Sequence, residues 1–189
     1  MSESKKEIIL QVSRKLFIEN GFTNTPTSMI CREASVATGT LFHHFKTKEE
    51  LLNALYLDAK LSLKKHISLE LNKSNDLKEM LRIVWQNYIG WAMQYPEKFT
   101  FLRKFSESPQ ISTQTREQVD NVFQHVFTIL DKGRKAGTFL DLPTQLMVGL
   151  VNTYFISTAR FFVENPDSYK KKLVKRVFSS FWQAIKSKA

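Results

Sequence analysis

The stretch from Thr25 to Lys48, TPTSMICREASVATGTLFHHFKTK, constrains the fold more than any other part of the chain. Its pattern predicts two short helices joined by a tight turn and followed by the start of a third. Thr25 is a good N-cap, and Pro26 suits the first helical position, where its missing N–H has no cost. We therefore expect a helix-turn-helix, with Thr38–His44 as its second helix.

The second helix of this stretch has the features of a DNA-recognition helix. Leu41 and Phe45 are four residues apart, so both should point inward. At about 100° per residue the opposite face presents Gly39, Thr40 and His43, which suits the major groove because it holds no large aliphatic side chain. The residues predicted to contact DNA are Thr25, Thr27, Ser28, Thr38, Gly39, Thr40, Phe42, His43, His44, Lys46 and Lys48.

The same residues carry a family resemblance. Residues 39–52, GTLFHHFKTKEELL, resemble the TetR-family pattern G-x-L-Y-x-H/Y-F-x-x-K-E-x-L, and residues 17–25 resemble the end of that family's first helix. Three positions depart from the pattern: Phe42 replaces a Tyr that would contact phosphate, Ser35 replaces a turn Gly, and Thr27 replaces an aliphatic residue.

The resemblance implies an all-α, homodimeric, cytoplasmic regulator of transcription that needs no cofactor. Residues 1–47 would form a three-helix DNA-binding head, and residues 48–189 a helical ligand-binding and dimerisation domain. Such a protein represses transcription by binding a palindromic operator in double-stranded DNA, and a small apolar or aromatic effector releases it. Two alternatives stay open, namely control by a partner protein and a helical small-molecule enzyme.

Charge and composition limit the other classes of protein. The net charge is +10, but residues 1–72 hold 10 basic and 8 acidic residues, so the DNA-binding prediction rests on the motif and not on the charge. No signal-peptide pattern and no uninterrupted apolar run of about 20 residues is evident, so we expect no membrane association. The lone Cys31 fits a reducing compartment, and the four histidines form no metal-ligand set.

Helix signals continue through the rest of the chain. Capping boxes at Ser4–Glu7 and Thr47–Glu50 predict the starts of two helices, the second running to about Leu71. Proline and glycine positions then divide the remainder into further helices. Their predicted ranges are 77–94, 97–106, 113–135, 143–164 and 167–187.

Residues 85–127 are rich in aromatic side chains. A plain helical core explains any one of them better than a binding site does. Taken together, they predict a cavity between helices for an apolar or aromatic ligand. The candidate ligand-binding residues are Trp85, Tyr88, Trp91, Phe101, Phe105, Phe123, Gln124 and Phe127.

The last two predicted helices carry more apolar surface than one subunit is expected to bury. Two wide apolar stripes predict a four-helix bundle between two copies of the chain. The candidate interface residues are Leu150, Tyr154, Phe161, Val174, Phe178, Phe181 and Trp182. The basic run at residues 170–176 is interpreted as a solvated helix face. No catalytic motif is evident, so we do not expect an enzyme.

Overall fold

The structure is a computed structural model of the 189-residue chain and describes residues 4–69, 76–119 and 124–187. Within these ranges it contains ten α-helices, one short 3-10 turn and no strand, which confirms the all-α prediction. The helices are α1 (Lys5–Asn20), α2 (Thr27–Glu33), α3 (Thr38–His44), α4 (Lys48–Ile67), α5 (Leu77–Gln94), α6 (Pro96–Phe105), α7 (Thr113–Val119), α8 (Gln124–Lys135), α9 (Thr144–Glu164) and α10 (Lys171–Ile185).

Local signals set the ends of α1. The Ser4 hydroxyl accepts a hydrogen bond from the Glu7 N–H, and the Glu7 carboxylate accepts one from the Ser4 N–H, so the predicted capping box is confirmed. Hydrogen bonds to Ser4 also lower the pKa of the Glu7 carboxyl. Gly21 ends the helix with a φ of 79°, a conformation that other residues adopt at a cost.

The prediction for the start of α2 was wrong by one residue. The helix begins at Thr27, with Pro26 in an extended conformation at the N-cap. Thr25 is fully buried instead, and its hydroxyl lies 2.7 Å from the Gly21 carbonyl oxygen and 3.3 Å from that of Leu16. Thr25 therefore fastens the loop to α1 and does not cap α2.

Later boundaries agree with the sequence where a strong cap is present. The Asp76 carboxylate accepts hydrogen bonds from the backbone N–H groups of Lys78 and Glu79, and α5 spans Leu77–Gln94 as predicted. Helix α4 ends at Ile67, and the predicted end near Leu71 lies outside the described residues. The predicted helix 113–135 corresponds to α7 and α8, with residues 120–123 outside the description. Residues 167–187 were predicted as one helix, but a 3-10 turn at Pro166–Ser168 precedes α10.

The described residues divide into two compact units. The first contains the residues up to Leu61 together with Pro96–Val119, and the second contains Ser62–Tyr95 and the residues after 123. Neither unit begins or ends at the predicted domain boundary between residues 47 and 48, so that boundary stays a prediction. Helix α4 begins in the first unit and ends in the second.

In the first unit, α1 is the central helix, packing against α2, α3 and α6. The Phe17 ring of α1 lies 6.3 Å from the Phe105 ring of α6. Asp58 of α4 accepts a hydrogen bond of 2.8 Å from Arg14 and one of 3.1 Å from Lys98, and thereby joins α1, α4 and α6. The three-helix head, α1–α3, is thus tied to α6 by apolar and charged contacts.

In the second unit, α5 is the most buried helix and packs mainly against α9. Phe155 of α9 lies 5.6 Å from Tyr88 and 5.7 Å from Phe181 of α10, measured between ring centroids. Gly133 of α8 is required by packing, because a Cβ there would lie 2.0 Å from the Phe139 ring. An aromatic core therefore joins α5, α9 and α10.

Candidate functional site

The candidate recognition helix α3 is anchored through its inner face. Leu41 and Phe45 are buried, as the sequence predicts. In the turn before α3, the Val36 N–H donates to the Cys31 carbonyl oxygen at 3.0 Å, and Ser35 has a φ of 52°. That turn brings α2 and α3 together, and both pack against α1.

The outer face of α3 lies open to solvent. Phe42 is 39% exposed, and a Cβ placed on Gly39 would meet no heavy atom within 4 Å. His43 is exposed beside the half-buried His44, with 5.2 Å between the two ring centroids. The outer face of α3 thus presents two imidazoles, a hydroxyl and an aromatic ring edge, with no bulky aliphatic side chain. These groups can reach base edges and a thymine methyl.

The other predicted DNA contacts differ in exposure. Ser28, Thr38 and Lys46 are exposed, and Thr27 and Thr40 are half-buried. Thr25 must be removed from the set, because its side chain is fully buried and its hydroxyl donates within the head. Thr25 was predicted to contact DNA because it is polar and precedes a helix, but those two properties do not ensure that a side chain is exposed.

Lys48 has partners inside the head. Its Nζ donates to the carbonyl oxygens of Phe22, at 2.9 Å, and Thr25, at 3.2 Å. The same atom lies 4.3 Å from the Phe22 ring centroid. Of the two lysines expected to contact phosphate, Lys46 is therefore the exposed one and Lys48 holds the loop after α1.

The predicted ligand-binding aromatics are not brought together in one unit. Trp85, Tyr88 and Trp91 lie in the core of the second unit, whereas Phe101 and Phe105 belong to the first. The remaining three residues differ in placement: Phe127 is half-buried, Gln124 is exposed, and Phe123 lies outside the described residues.

Two features of the second unit bear on ligand binding. A cavity of about 110 Å³ lies between α8 and α9. Its walls are formed by Val126, Val148, Gly149, Val151, Asn152 and Phe155. The indole Nε1 of Trp85 is buried without a hydrogen-bond partner among the described residues. The α9 residues of this cavity were not predicted from the sequence, because they fall outside the aromatic-rich segment.

The residues of the predicted dimer surface differ in burial, and the interface itself stays a prediction. Val174, Phe178 and Phe181 are buried within the subunit. These three residues therefore belong to the subunit core. Trp182 is half-buried, and its ring lies 5.6 Å from that of Phe139. The period of an apolar stripe shows which face is buried but not which partner buries it.

Helix α9 keeps an exposed apolar stripe. Leu146, Leu150 and Phe161 are each close to half exposed, and the predicted residue Tyr154 is half-buried on the same helix. In the described part of the chain, α9 alone is long and apolar enough to cross a membrane. The helix is not an uninterrupted apolar run, because Asn152, Thr153 and Arg160 lie within it, and a core helix of a soluble protein can have the same length and composition. Exposed apolar patches of this kind usually mark an interaction surface.

Comparison with known proteins links the N-terminal and the C-terminal parts of the chain to one family. The family model described as "Bacterial regulatory proteins, tetR family" matches residues 9–55, and the model "Tetracyclin repressor-like, C-terminal domain" matches residues 56–187. The solved structure of a tetR family transcription regulator from Shewanella sp. PV-4 is 32% identical, with a TM-score of 0.87. That match covers 98% of this chain and 100% of the other.

Curated relatives match over shorter segments. The transcriptional regulator UidR of Escherichia coli K12 is 43% identical over 49 residues, which are 26% of this chain and 25% of UidR. The Fatty acid metabolism regulator protein of Bacillus subtilis is 22% identical over 123 residues, covering 65% of this chain and 62% of that protein. The chain thus spans about a quarter of the length of UidR in that match.

Three observations indicate the same family: the helix-turn-helix motif, the exposed face of α3 and the two matching family models. The family consists of DNA-binding transcription regulators and not of enzymes. The chain belongs to the TetR family of transcriptional regulators.

Proposed function

We propose that this regulator is a cytoplasmic, homodimeric repressor that binds a palindromic operator and is released from it by a small apolar or aromatic effector. The observation that carries the proposal is the contrast between the two faces of α3, whose inner residues Leu41 and Phe45 are buried and whose outer residues Gly39 and His43 are exposed. A short helix anchored in this way can enter the major groove without losing its own packing.

In this proposal each exposed group of the head has a separate role. Thr40 and His43 contact base edges and thereby select the sequence. Lys46 contacts phosphate and sets position and affinity without selecting sequence. Phe42 lacks the hydroxyl found in the family pattern and packs against a thymine methyl or the sugar. Gly39 permits a close approach of the α3 backbone to DNA.

The exposed stripe on α9 supports the homodimer. Leu146, Leu150 and Phe161 lie on one helix at spacings that a facing helix can cover. A two-fold axis would bury the same stripe from both copies, which is the commonest arrangement for a soluble oligomer. Two heads related by that axis match a palindromic operator.

The effector proposal rests on the second unit. The cavity between α8 and α9 has mostly apolar walls and one amide group, from Asn152. The buried Trp85 indole supplies a donor without a partner among the described residues. A mostly apolar ligand with one polar group for the Asn152 amide suits this cavity, whereas the Trp85 indole is not part of its walls. The name of the Bacillus subtilis relative, a fatty acid metabolism regulator, agrees with an apolar effector.

Release from DNA requires a path from the effector to the head. Helix α5 of the second unit continues through Tyr95 into α6 of the first. Helix α6 contacts α1 through Phe105 and Phe17, and Lys104 donates to the Ile18 carbonyl oxygen. Helix α5 packs against both α8 and α9, so a ligand that separates those helices would shift α5 and thereby α6, α1 and the recognition helix.

The proposal is tested with an operator obtained by selection from random duplex DNA. The dimer should retain a palindromic sequence, and deletion of the gene should raise transcription from promoters that contain it. A panel of apolar compounds should include members that raise the melting temperature and weaken operator binding. If no compound does so and a protein captured by the regulator changes operator affinity, control by a partner protein replaces the effector.

A further inference from the structure

A concave surface at the junction of α9 and α10 is not used by the proposed function. Its volume is about 510 Å³, and it is formed by the 3-10 turn and the first turns of α10. The lining residues are Asp167, Ser168, Lys170, Lys172, Leu173 and Arg176. The surface is shallow and largely open to solvent, so a ligand here would stay partly exposed.

Positive charge is concentrated around this surface. Residues 167–176 contain five basic side chains and one carboxylate, that of Asp167. All five basic residues are exposed, and none of them forms an ion pair with a carboxylate of the described residues. Lys172 and Arg176 are one helical turn apart, so both face the concave surface. Like charges held this closely repel one another, and a bound anion would relieve the repulsion.

The structure argues against insertion of this region into a membrane. An amphipathic helix that binds a bilayer needs a free apolar face next to its basic residues. Phe178 and Phe181 follow the basic run, but both are buried within the subunit. Trp182 packs against Phe139, with 5.6 Å between ring centroids. Most of the apolar face of α10 is therefore already packed within the subunit.

We propose that this concave surface, defined by Lys170, Lys172 and Arg176, binds a small molecule with two or more phosphate groups. Arginine and lysine are the usual ligands of phosphate oxygens, arginine because its planar fork donates two parallel hydrogen bonds. The Ser168 hydroxyl offers a further donor, and the Asp167 carboxylate can accept from a ligand hydroxyl. The site is lined by none of the residues that form the apolar cavity between α8 and α9, so the two ligands are distinct.

Isothermal titration calorimetry of the full chain with inorganic pyrophosphate and with ADP tests the proposal. We expect saturable binding of one ligand per chain at about 0.1 M salt, where distant charges are screened. The double variant Lys172→Gln/Arg176→Gln should bind at least about tenfold more weakly, because two charge-assisted contacts are lost. Both residues are exposed, so the melting temperature without ligand should stay unchanged.

A matched control removes the same charge from α4. The variant Lys64→Gln/Lys65→Gln changes two neighbouring lysines that line neither cavity and should bind pyrophosphate like the wild type. Equal weakening in both double variants, or no saturable binding by the wild type, would overturn the proposal. Binding to phosphatidylglycerol vesicles that needs Lys172 and Arg176, without binding of pyrophosphate, would also overturn it in favour of a membrane surface. Because these titrations contain no DNA, their outcome is independent of the proposed operator binding.

Discussion

The ammonium nitrogen of Lys48 lies 2.9 Å from the Phe22 carbonyl oxygen and 4.3 Å from the centroid of the Phe22 ring. Lys48, the first residue of α4, thus binds Phe22, the first residue after the Gly21 C-cap of α1. A lysine whose place in the family motif suggests contact with phosphate is therefore part of the internal structure of the head.

Replacement of Lys48 by methionine should lower the stability of the protein. The variant keeps the aliphatic stem but loses two hydrogen bonds from a charged donor and a cation–π contact. We expect the free energy of unfolding to fall by about 1–3 kcal/mol. Urea denaturation followed by circular dichroism measures the loss.

Lys46→Met provides the matched control for that measurement. Lys46 is exposed two residues away, and its backbone N–H donates to the Glu50 carboxylate, a contact that the substitution leaves in place. Its replacement should leave the free energy of unfolding within about 0.5 kcal/mol of the wild type. A Lys48 variant as stable as the Lys46 variant would show that the contacts to Phe22 and Thr25 contribute nothing.

Ser35→Gly should stabilise the protein. Ser35 has a φ of 52°, a left-handed conformation that costs a residue with a Cβ about 1–2 kcal/mol. Glycine removes that cost but loses more entropy on folding, so we expect a net gain of about 0.5–1 kcal/mol. Ser35→Ala, which keeps the Cβ, is the control and should show no such gain. A Gly variant less stable than the Ala variant would contradict the assigned turn conformation.

Leu150→Glu should yield a monomer. The side chain is 49% exposed on the α9 stripe, and a charge there would be desolvated in the proposed dimer. Light scattering after gel filtration gives the mass directly. Leu61→Glu is the control, because Leu61 on α4 is 48% exposed and lies outside the stripe, and this variant should remain dimeric. A dimeric Leu150→Glu protein would remove α9 from the interface.

Asp131 should contribute stability that depends on pH. A hydrogen bond from Lys135, with further contacts from Arg134 and Thr144, holds the pKa of the Asp131 carboxyl below its ordinary value. A carboxyl with a lowered folded-state pKa stabilises the fold above its unfolded pKa, and the effect is lost as the pH falls through the folded value. Asp131→Asn should therefore melt at a lower temperature than the wild type at pH 7. In acid below that folded-state pKa, the two proteins should have the same melting temperature. An equal difference in melting temperature at both pH values would show that the Asp131 carboxyl does not make stability depend on pH.

Local sequence signals predicted much of the fold. Asp76 marks the start of α5, and the four-residue spacing of Leu41 and Phe45 identifies the inner face of α3 because it depends only on helical period. Thr25 shows the limit of such signals, since its hydroxyl is satisfied by the carbonyl oxygens of Leu16 and Gly21, whose positions depend on tertiary structure.

Partners of apolar faces were harder to predict. Phe178 and Phe181 lie on a regular stripe, but sequence period cannot distinguish the core of one subunit from an interface between two. Similarly, Trp85 and Phe105 lie in one aromatic-rich segment yet belong to different compact units. Closeness in sequence was therefore a poor guide to a shared cavity.

Operator selection with head variants tests directly whether the outer face of α3 reads DNA. His43→Ala should relax the preference at particular base pairs, by about 1–3 kcal/mol each. Lys46→Ala should weaken all sequences about equally and make the dependence of log affinity on log salt shallower by about one unit. We expect a changed sequence preference for His43→Ala alone. A new preferred sequence for Lys46→Ala, together with an unchanged preference for His43→Ala, would contradict it.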